Sequence, residues 1–206
     1  MYVPKAFSNE DKSALHEFLR EHALGTLVTT VNGRLQATHV PCVLDAERGE
    51  NGYLRFHLAA TNPSAQILDS AGEVLFVFTG PEHYISPDWY DNPKLVPTWN
   101  YTAVHIYGTV TRLSDAGLCE LLEDLSSEHE GRLPKQPWTT DKLPQALYAK
   151  LRTAIVGFEL PISIIEGKWK LNQNRTAADR KGAAQNLRAL NEPQALTVAV
   201  EMEQTN

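Results

Sequence analysis

Residues 25–45, GTLVTTVNGRLQATHVPCVLD, contain the signal that determines the predicted fold. Two β-rich runs flank Asn32-Gly33, a dipeptide typical of the two-residue turn of a β-hairpin. Because no crossover helix separates the two runs, a parallel doubly wound sheet is disfavoured. Further strands are indicated by the apolar patterns of 53–60 (YLRFHLAA), 73–78 (EVLFVF) and 101–113 (YTAVHIYGTVTRL). Five or six short strands with helices at both ends predict an α+β, mainly β, fold built on a small antiparallel barrel.

Two helices are predicted next to these strands. Residues 8–23 have apolar side chains at helical spacing, and Ser8 with Asp11 forms a capping-box-like start. Gly25 is expected to end this helix. Asn62, followed by proline and serine, is expected to open a second, short helix.

The chain is expected to form one domain over residues 1–190, because neither an internal repeat nor a low-complexity tract interrupts it. Residues 191–206 are predicted to be a frayed tail. Residues 80–100 are predicted to be a long loop, which contains four of the twelve prolines and many aromatic residues. Loops of this length within compact domains are usually functional.

Composition and charge exclude several classes of protein. The 206 residues carry a formal net charge of −6, which disfavours DNA binding as the primary activity. The N-terminus lacks a basic region followed by an apolar one, and no apolar run reaches about 18 residues. Export and membrane spanning are therefore disfavoured, and a cytoplasmic location is expected. Cys42 and Cys119 are expected to be two thiols, with one disulfide as the alternative.

Basic residues are concentrated in residues 166–190, a segment that contains six basic and two acidic residues. If the protein binds DNA, this segment is the expected contact. The predicted helices at 114–126 and 141–152 are joined by a long proline-rich connector and do not form a helix-turn-helix.

The first polar segment on a predicted strand is Thr38-His39-Val40, followed by Pro41. Proline removes a donor from the ladder, so this strand is expected to lie near an edge or an end at that point. The exposed backbone groups beside it could bond a flat heterocycle. The alternative is an ordinary edge strand.

The second segment runs from His57 into Asn62 and Ser64, where a strand leads into a predicted helix N-terminus. Free N–H groups and the helix dipole make such a turn suitable for a phosphate. The alternative is simple capping of the helix by the Asn62 side chain.

The third segment contains a polar cluster just before the last predicted helix, and its members are Lys170, Gln173, Asn174 and Arg175. A basic helix entry can bind a phosphate through charge-assisted hydrogen bonds. The alternative is a solvated loop.

Metal and catalytic signatures are not evident in the sequence. The chain has no G-x-G-x-x-G, G-x-x-x-x-G-K-[ST], H-E-x-x-H or G-x-S-x-G motif. His39, His57 and His105 each lie in a predicted strand, but satisfied or surface histidines are favoured over a metal site. No catalytic acid or base can be assigned.

In this order, the segments resemble the PaiB-type transcriptional regulators, a family with an FMN-binding split-barrel fold. The resemblance extends from residue 1 to about residue 190. Two positions depart from the family pattern: Thr61 stands where an arginine is usual, and Asn172 where a serine is usual. The motifs that carry the resemblance are MYVPKAF (1–7), THVP (38–41), HLAATNPSAQ (57–66), FTGPEHYISPDWY (78–90), VPTWNYTAVHIYG (96–108) and EGKWKLNQNR (166–175).

The resemblance implies a split β-barrel with flanking helices that forms a homodimer and binds FMN in a cleft at the subunit interface. It places the isoalloxazine along Thr38, His39 and Val40. Further expected contacts hold the phosphate or close the site, and the division of these residues between the two subunits stays open. The phosphate contacts are His57, Ala59, Asn62, Ser64 and Gln66; the closing residues are Trp99, Asn100 and the cluster Lys170, Gln173, Asn174 and Arg175.

Three functions follow as hypotheses. The first is an FMN-binding regulator of transcription or of a stress response, as the family name implies. The second is a flavin-dependent oxidoreductase or flavin reductase that uses NAD(P)H, because hydride chemistry needs only a flavin and positioning. The third is a haem-handling protein that uses a strand histidine. The aromatic residues of the 80–100 loop fit a dimer interface, or alternatively a small core beneath the loop.

Overall fold

The computed structural model describes residues 1–205, which divide into two compact units. Unit 1 contains residues 1–18, residues 79–105 and the described residues from 166 onward. Unit 2 contains residues 19–78 and 106–165. Each unit is assembled from segments that are distant in sequence. The expectation of one domain over residues 1–190 stays a prediction.

Nine strands lie within residues 1–205: β1 (Ser8–Asn9), β2 (Leu24–Val31), β3 (Arg34–Asp45), β4 (Tyr53–Ala59), β5 (Glu73–Ile85), β6 (Thr98–Thr109), β7 (Thr111–Arg112), β8 (Ile155–Pro161) and β9 (Ile164–Lys170). In unit 1 neighbouring strands follow the order β1-β9-β6-β5, and in unit 2 the order β5-β2-β3-β4-β8-β7, so that β5, β6 and β9 contribute residues to both. Pairing is antiparallel throughout unit 2 and between β1 and β9 in unit 1.

Five α-helices accompany the strands within residues 1–205. Judged by length and apolar character together, none of them qualifies as a membrane span. They are α1 (Lys12–Glu21), α2 (Asp115–Glu130), α3 (Gln145–Arg152), α4 (Ala177–Leu190) and α5 (Pro193–Gln204).

The hairpin predicted from Asn32-Gly33 is confirmed. Strands β2 and β3 pair from Val31↔Arg34 to Leu24↔Pro41, so the turn contains two residues. Both turn residues adopt positive φ, 51° at Asn32 and 77° at Gly33, as a type I′ turn requires. This turn therefore sets the register of the β2–β3 ladder.

A stack of phenylalanine rings forms the centre of unit 2. The Phe56 ring centroid lies 5.0 Å from that of Phe76 and 5.6 Å from that of Phe158, and all three side chains are fully buried. The prediction that Gly25 ends the first helix is wrong, because Gly25 lies in β2. A Cβ atom at Gly25 would lie 2.6 Å from the Phe78 ring, so packing explains this glycine.

The predicted helix over 8–23 is wrong at its start. Ser8 lies in β1, where it pairs with Lys168, and the helix begins only at Lys12. The Asp11 carboxylate, rather than Ser8, accepts a hydrogen bond from the Ser13 backbone N–H at 2.9 Å. The predicted capping box of Ser8 and Asp11 is therefore wrong. Ser8 pairs with a residue 160 positions away in the chain, and local spacing carries no information about that partner.

The predicted loop over 80–100 is shorter in the structure. β5 continues from Glu73 through Gly80 and Pro81 to Ile85, and β6 begins at Thr98. Glycine and proline suggested a break in the strand, but a Cβ at Gly80 would lie 2.7 Å from the Phe18 ring. Close packing within unit 1 therefore accounts for this glycine.

The predicted frayed tail, residues 191–206, instead contains helix α5 over Pro193–Gln204, and residue 206 lies outside the described residues. Asn191 ends α4 with φ of 55°, and Pro193 occupies the first turn of the new helix, which is where proline is tolerated. The apolar face of α5 is buried in a cluster with α4. Its buried members, at helical spacing, are Ala195, Val198, Ala199 and Met202.

Candidate functional site

Strands β3 and β4 form a fork in unit 2. β3 pairs with β2 over residues 34–41, but it pairs with β4 only from Asp45↔Tyr53 to Cys42↔Phe56. The other edge of β4 pairs with β8 over the whole strand, residues 53–59. Beyond Cys42↔Phe56 the facing edges of β3 and β4 are therefore unpaired with each other.

Pro41 gives the physical reason why the ladder stops. The Cys42 N–H donates to the Ala23 carbonyl at 2.8 Å, so it points away from β4. Backbone groups alternate along an antiparallel strand, which directs those of Pro41 and His39 toward β4. Pro41 has no N–H to give to the ladder, and the His39 N–H and C=O are left facing the fork. The expectation of a strand edge at this position is confirmed.

A tight turn lies beyond the end of β4. The side-chain Oδ1 of Asn62 accepts a hydrogen bond from the Ser64 backbone N–H at 2.9 Å. The predicted short helix is wrong, because the chain forms only 3-10 turns over Pro63–Gln66 and Leu68–Ser70. A proline-initiated turn this short has no aligned peptides to build an α-helical dipole, so an argument from the dipole does not apply here.

Eight of the predicted residues lie in unit 2, on β3, on β4 and at the turn that follows β4. The fully buried Ser64 hydroxyl and the Gln36 side chain on β3 are joined by a hydrogen bond of 3.4 Å. This bond holds the turn against the open part of the fork. The eight residues are Thr38, His39 and Val40 on β3, His57 and Ala59 on β4, and Asn62, Ser64 and Gln66 at the turn.

Two residues at this site were missed by the sequence analysis. Gln36 alternates with Thr38 on β3, so strand periodicity could have indicated it. Arg112 on β7 donates a hydrogen bond to the Ala65 carbonyl at 3.2 Å and forms an ion pair of 3.4 Å with Asp69. It brings a guanidinium to the turn that follows Thr61. Nothing in the local sequence links Arg112 to that turn.

The strand histidines of unit 2 have different surroundings. His39 is exposed, and its Nδ1 lies 3.0 Å from the Thr26 hydroxyl across the β2–β3 ladder. Burial lowers the pKa of His57, which favours a neutral imidazole at the fork. Within residues 1–205, no group of three histidine, cysteine or acidic side chains is arranged to hold a metal ion.

The other predicted residues lie in unit 1. The buried Asn100 side chain donates to the Met202 sulfur of α5 at 3.2 Å, and Lys170 donates to the Thr98 hydroxyl and the Trp99 carbonyl. Gln173 closes its own loop by bonding the backbone of Trp169 and Leu171.

The remaining two members of the 170–175 cluster differ in exposure. Asn174 is exposed, and the Arg175 guanidinium lies 5.7 Å from the Tyr90 ring centroid. Cofactor contacts by any of these unit 1 residues stay a prediction.

The aromatic residues of the 80–100 segment fall into two groups. Tyr90 is buried and Trp89 packs against the same apolar cluster of α4 and α5, which matches the alternative of a small core beneath the loop. Tyr84 and Trp99 are exposed, and their rings meet edge to face at 6.1 Å. These two rings form an apolar surface on unit 1.

The basic segment 166–190 is partly neutralised. Two guanidinium nitrogens of Arg188, Nε and Nη2, donate hydrogen bonds to the Glu203 carboxylate of α5, at 3.0 and 2.6 Å. Arg180 donates to the Thr205 carbonyl at 2.7 Å. The charge excess counted along the sequence therefore overstates the positive charge that this segment presents.

Comparison with known sequences finds a family model described as "Putative FMN-binding domain", which matches residues 1–164. The chain is also 35% identical to "Protease synthase and sporulation protein PAI 2" of Bacillus subtilis over 204 residues. That alignment covers 98% of this chain and 97% of the relative.

Comparison with solved structures finds the same fold at low sequence identity. The flavocytochrome Anf3 from Azotobacter vinelandii superposes with a TM-score of 0.59 at 14% identity, over 82% of this chain and 72% of that chain. The FAD and haem binding protein from Mycobacterium smegmatis gives a TM-score of 0.58 at 14% identity, over 79% and 73%. The predicted fold class, an α+β split β-barrel with flanking helices, is confirmed.

Proposed function

Because the chain belongs to the PaiB-type family with an FMN-binding domain, we propose that this protein binds FMN at the fork of unit 2 and acts as a flavin-dependent regulator. The single observation that carries the proposal is the unpaired edge of β3 beside a polar turn. Flavin rings need backbone donors and acceptors along one edge, and a fork supplies them without breaking the core.

The isoalloxazine is proposed to lie along Thr38, His39 and Val40. Of these three residues, His39 directs its backbone N–H and C=O toward the fork, while the Val40 side chain is buried. The neutral His57 imidazole on the facing strand can donate one hydrogen bond and accept another. The residues present therefore fit the polar rim of a flavin ring.

The phosphate is proposed to lie at the turn of residues 62–66. Ser64 and Asn62 offer polar side chains there, and Arg112 supplies the cation. The ion pair with Asp69 is long, at 3.4 Å, and both side chains are about half exposed. A phosphate dianion can therefore compete with Asp69 for the guanidinium.

A Gln66→Glu variant tests this placement. Gln66 is exposed at the end of the turn, so the substitution adds a carboxylate with almost no change in shape. We expect a loss of FMN affinity of about tenfold to hundredfold, because like charges at a binding site cost several kcal/mol. Riboflavin, which has no phosphate, should bind the variant and the wild type equally.

The measurement is the quenching of flavin fluorescence during titration. Gln145→Glu, another exposed glutamine of unit 2, is the matched control and should leave both affinities unchanged. Equal FMN affinity of wild type and Gln66→Glu would place the phosphate elsewhere. If neither flavin binds the wild-type protein, the proposed function itself is wrong.

The absorption spectrum of the purified protein separates the competing functions. Flavin bands that survive desalting support the regulator and the oxidoreductase, whereas a Soret band supports haem binding. Rapid NAD(P)H oxidation by the FMN-loaded protein would favour the oxidoreductase. The cytoplasmic location stays a prediction.

Direct DNA binding is expected to be weak and sensitive to salt. Arg188 is paired with Glu203, so Arg180 and Lys181 would carry most of the contact made by α4. We expect the affinity for random DNA to lie near the non-specific range of about 10⁻⁴–10⁻⁶ M at physiological salt. A salt series on promoter and random DNA measures this, with Lys181→Ala as the test variant. Tight, selective binding that the Lys181→Ala substitution does not weaken would contradict the assignment of the DNA contact to α4.

We further propose that the protein is a homodimer. The exposed pair Tyr84 and Trp99, with the exposed Val96 in the same segment, supports an apolar surface that another copy could cover. Sedimentation at micromolar concentration should give twice the chain mass of 23.0 kDa. A monomer that still retains flavin would rule out a cleft shared by two subunits.

A further inference from the structure

Three cationic side chains are gathered in unit 1 around β6 and β9. The Lys168 Nζ lies 5.3 Å from the centroid of the Tyr101 ring, and the Lys170 Nζ lies 5.9 Å from the same centroid. Arg175 follows the end of β9 by five positions, its guanidinium lies 5.7 Å from the Tyr90 ring centroid, and its positive charge contributes to lowering the pKa of Lys170. The three cations and the ring therefore form one surface, which we call the lysine–tyrosine face.

No acidic partner neutralises the lysine–tyrosine face. Among residues 1–205, no carboxylate oxygen lies within 4.0 Å of the Lys168 or Lys170 ammonium or of the Arg175 guanidinium. Glu166, the acidic residue on the same strand, forms an ion pair with the amino group of Met1. The Glu166 carboxylate is therefore already paired with that amino group.

The uncompensated charge has an energetic consequence. The pKa of Lys170 is lowered by burial and then by the charges of Lys168 and Arg175. The side chain is nevertheless held in place by its bonds to Thr98 and to the Trp99 carbonyl. Lys168 is held in a similar way, since it donates to the Tyr2 carbonyl at 3.1 Å. Positioned cations that repel each other are stabilised when an anion binds between them.

We propose that Lys168, Lys170 and Arg175 bind the phosphate group of an organic phosphate over the Tyr101 ring. Phosphate is favoured over a carboxylate because three cations match a dianion, and because the buried Arg175 Nε has no hydrogen-bond partner within residues 1–205. This site does not rest on flavin binding at the fork. Its phosphate can belong to a second nucleotide, or to FMN, in which case the flavin phosphate lies here and not at the turn of residues 62–66. Tyr101 can stack against the ring attached to that phosphate.

Calorimetric titration of the full chain tests the site with three probes: FMN, riboflavin and adenosine 2′,5′-bisphosphate. Lys168→Gln and Lys170→Gln should each weaken binding of at least one phosphorylated probe by about tenfold, which is the effect of losing one charge-assisted hydrogen bond. Riboflavin should be unaffected. Lys94→Gln, an exposed lysine of unit 1, is the matched control and should change nothing.

A second variant separates binding from folding. Lys168→Arg keeps the positive charge and should retain affinity, whereas Lys168→Gln should lose affinity while the melting temperature of the free protein stays equal or rises. That rise is expected because one of three mutually repelling charges is removed.

The choice of probe identifies the source of the phosphate. An effect confined to FMN assigns the face to the flavin phosphate, and an effect confined to the bisphosphate assigns it to a second ligand. The second result would stand even if the fork bound no flavin. Unchanged affinity of both phosphorylated probes in both glutamine variants, or no binding of either probe by the wild type, would overturn the proposal.

Discussion

A Val198→Asp variant is expected to lose the helical core of unit 1. Val198 is fully buried on α5, in an apolar cluster with Ala183 and Leu187 of α4. An aspartate there would have to be buried as a charge or expel the helix, and either outcome should lower the free energy of unfolding by more than about 4 kcal/mol. Denaturant titration followed by tryptophan fluorescence measures it, because Trp89 and Trp169 pack against the same cluster.

Val200→Asp is the matched control on the same helix. Its side chain is 38% exposed, so the new carboxylate can remain in water. The expected loss is below about 1 kcal/mol. If Val198→Asp, like Val200→Asp, lowers the free energy of unfolding by less than about 1 kcal/mol, α5 is not part of the core. The earlier expectation of a frayed tail would then be correct.

A Phe56→Ala variant is expected to lower the free energy of unfolding by about 3–5 kcal/mol, as a cavity replaces a fully buried ring. The ring contacts Phe76 and Phe158, and its backbone pairs with Cys42 at the base of the fork. Flavin affinity should therefore fall together with stability. Denaturant titration and flavin fluorescence on the same samples measure both.

Leu35→Ala provides the comparison for this variant. Leu35 is also apolar but 80% exposed, so the expected change in the free energy of unfolding is within about 0.5 kcal/mol. A Phe56→Ala protein with wild-type stability would mean that the phenylalanine stack contributes little. A destabilised protein with unchanged flavin affinity would mean that the base of the fork does not position the ligand.

The parts of the site that the sequence indicated are those with a local cause. Asn32-Gly33 selects a turn that sets the register from Val31↔Arg34 to Leu24↔Pro41. Pro41 cannot donate to a ladder, and the edge beside His39 follows from that. The Asn62 cap is another local interaction, confirmed by its bond to the Ser64 N–H.

The parts that could not be predicted depend on distant segments. Arg112 reaches the turn at Ala65 across 47 positions of sequence, and Glu203 neutralises Arg188 from another helix. Ser8 joins a strand because Lys168 lies beside it. In each case the partner is far away in the chain, and local periodicity carries no information about it.

By itself, the sequence determined the fold class, the first hairpin, the point at which β3 leaves its ladder and the family to which the chain belongs. These features follow from backbone chemistry, from turn residues and from motifs that can be compared directly. Only the tertiary structure decided that Val198 and Met202 are core residues, and that Lys168, Lys170 and Arg175 have no acidic partner within residues 1–205. Burial and charge compensation are properties of neighbours in space, and folding alone brings those neighbours together.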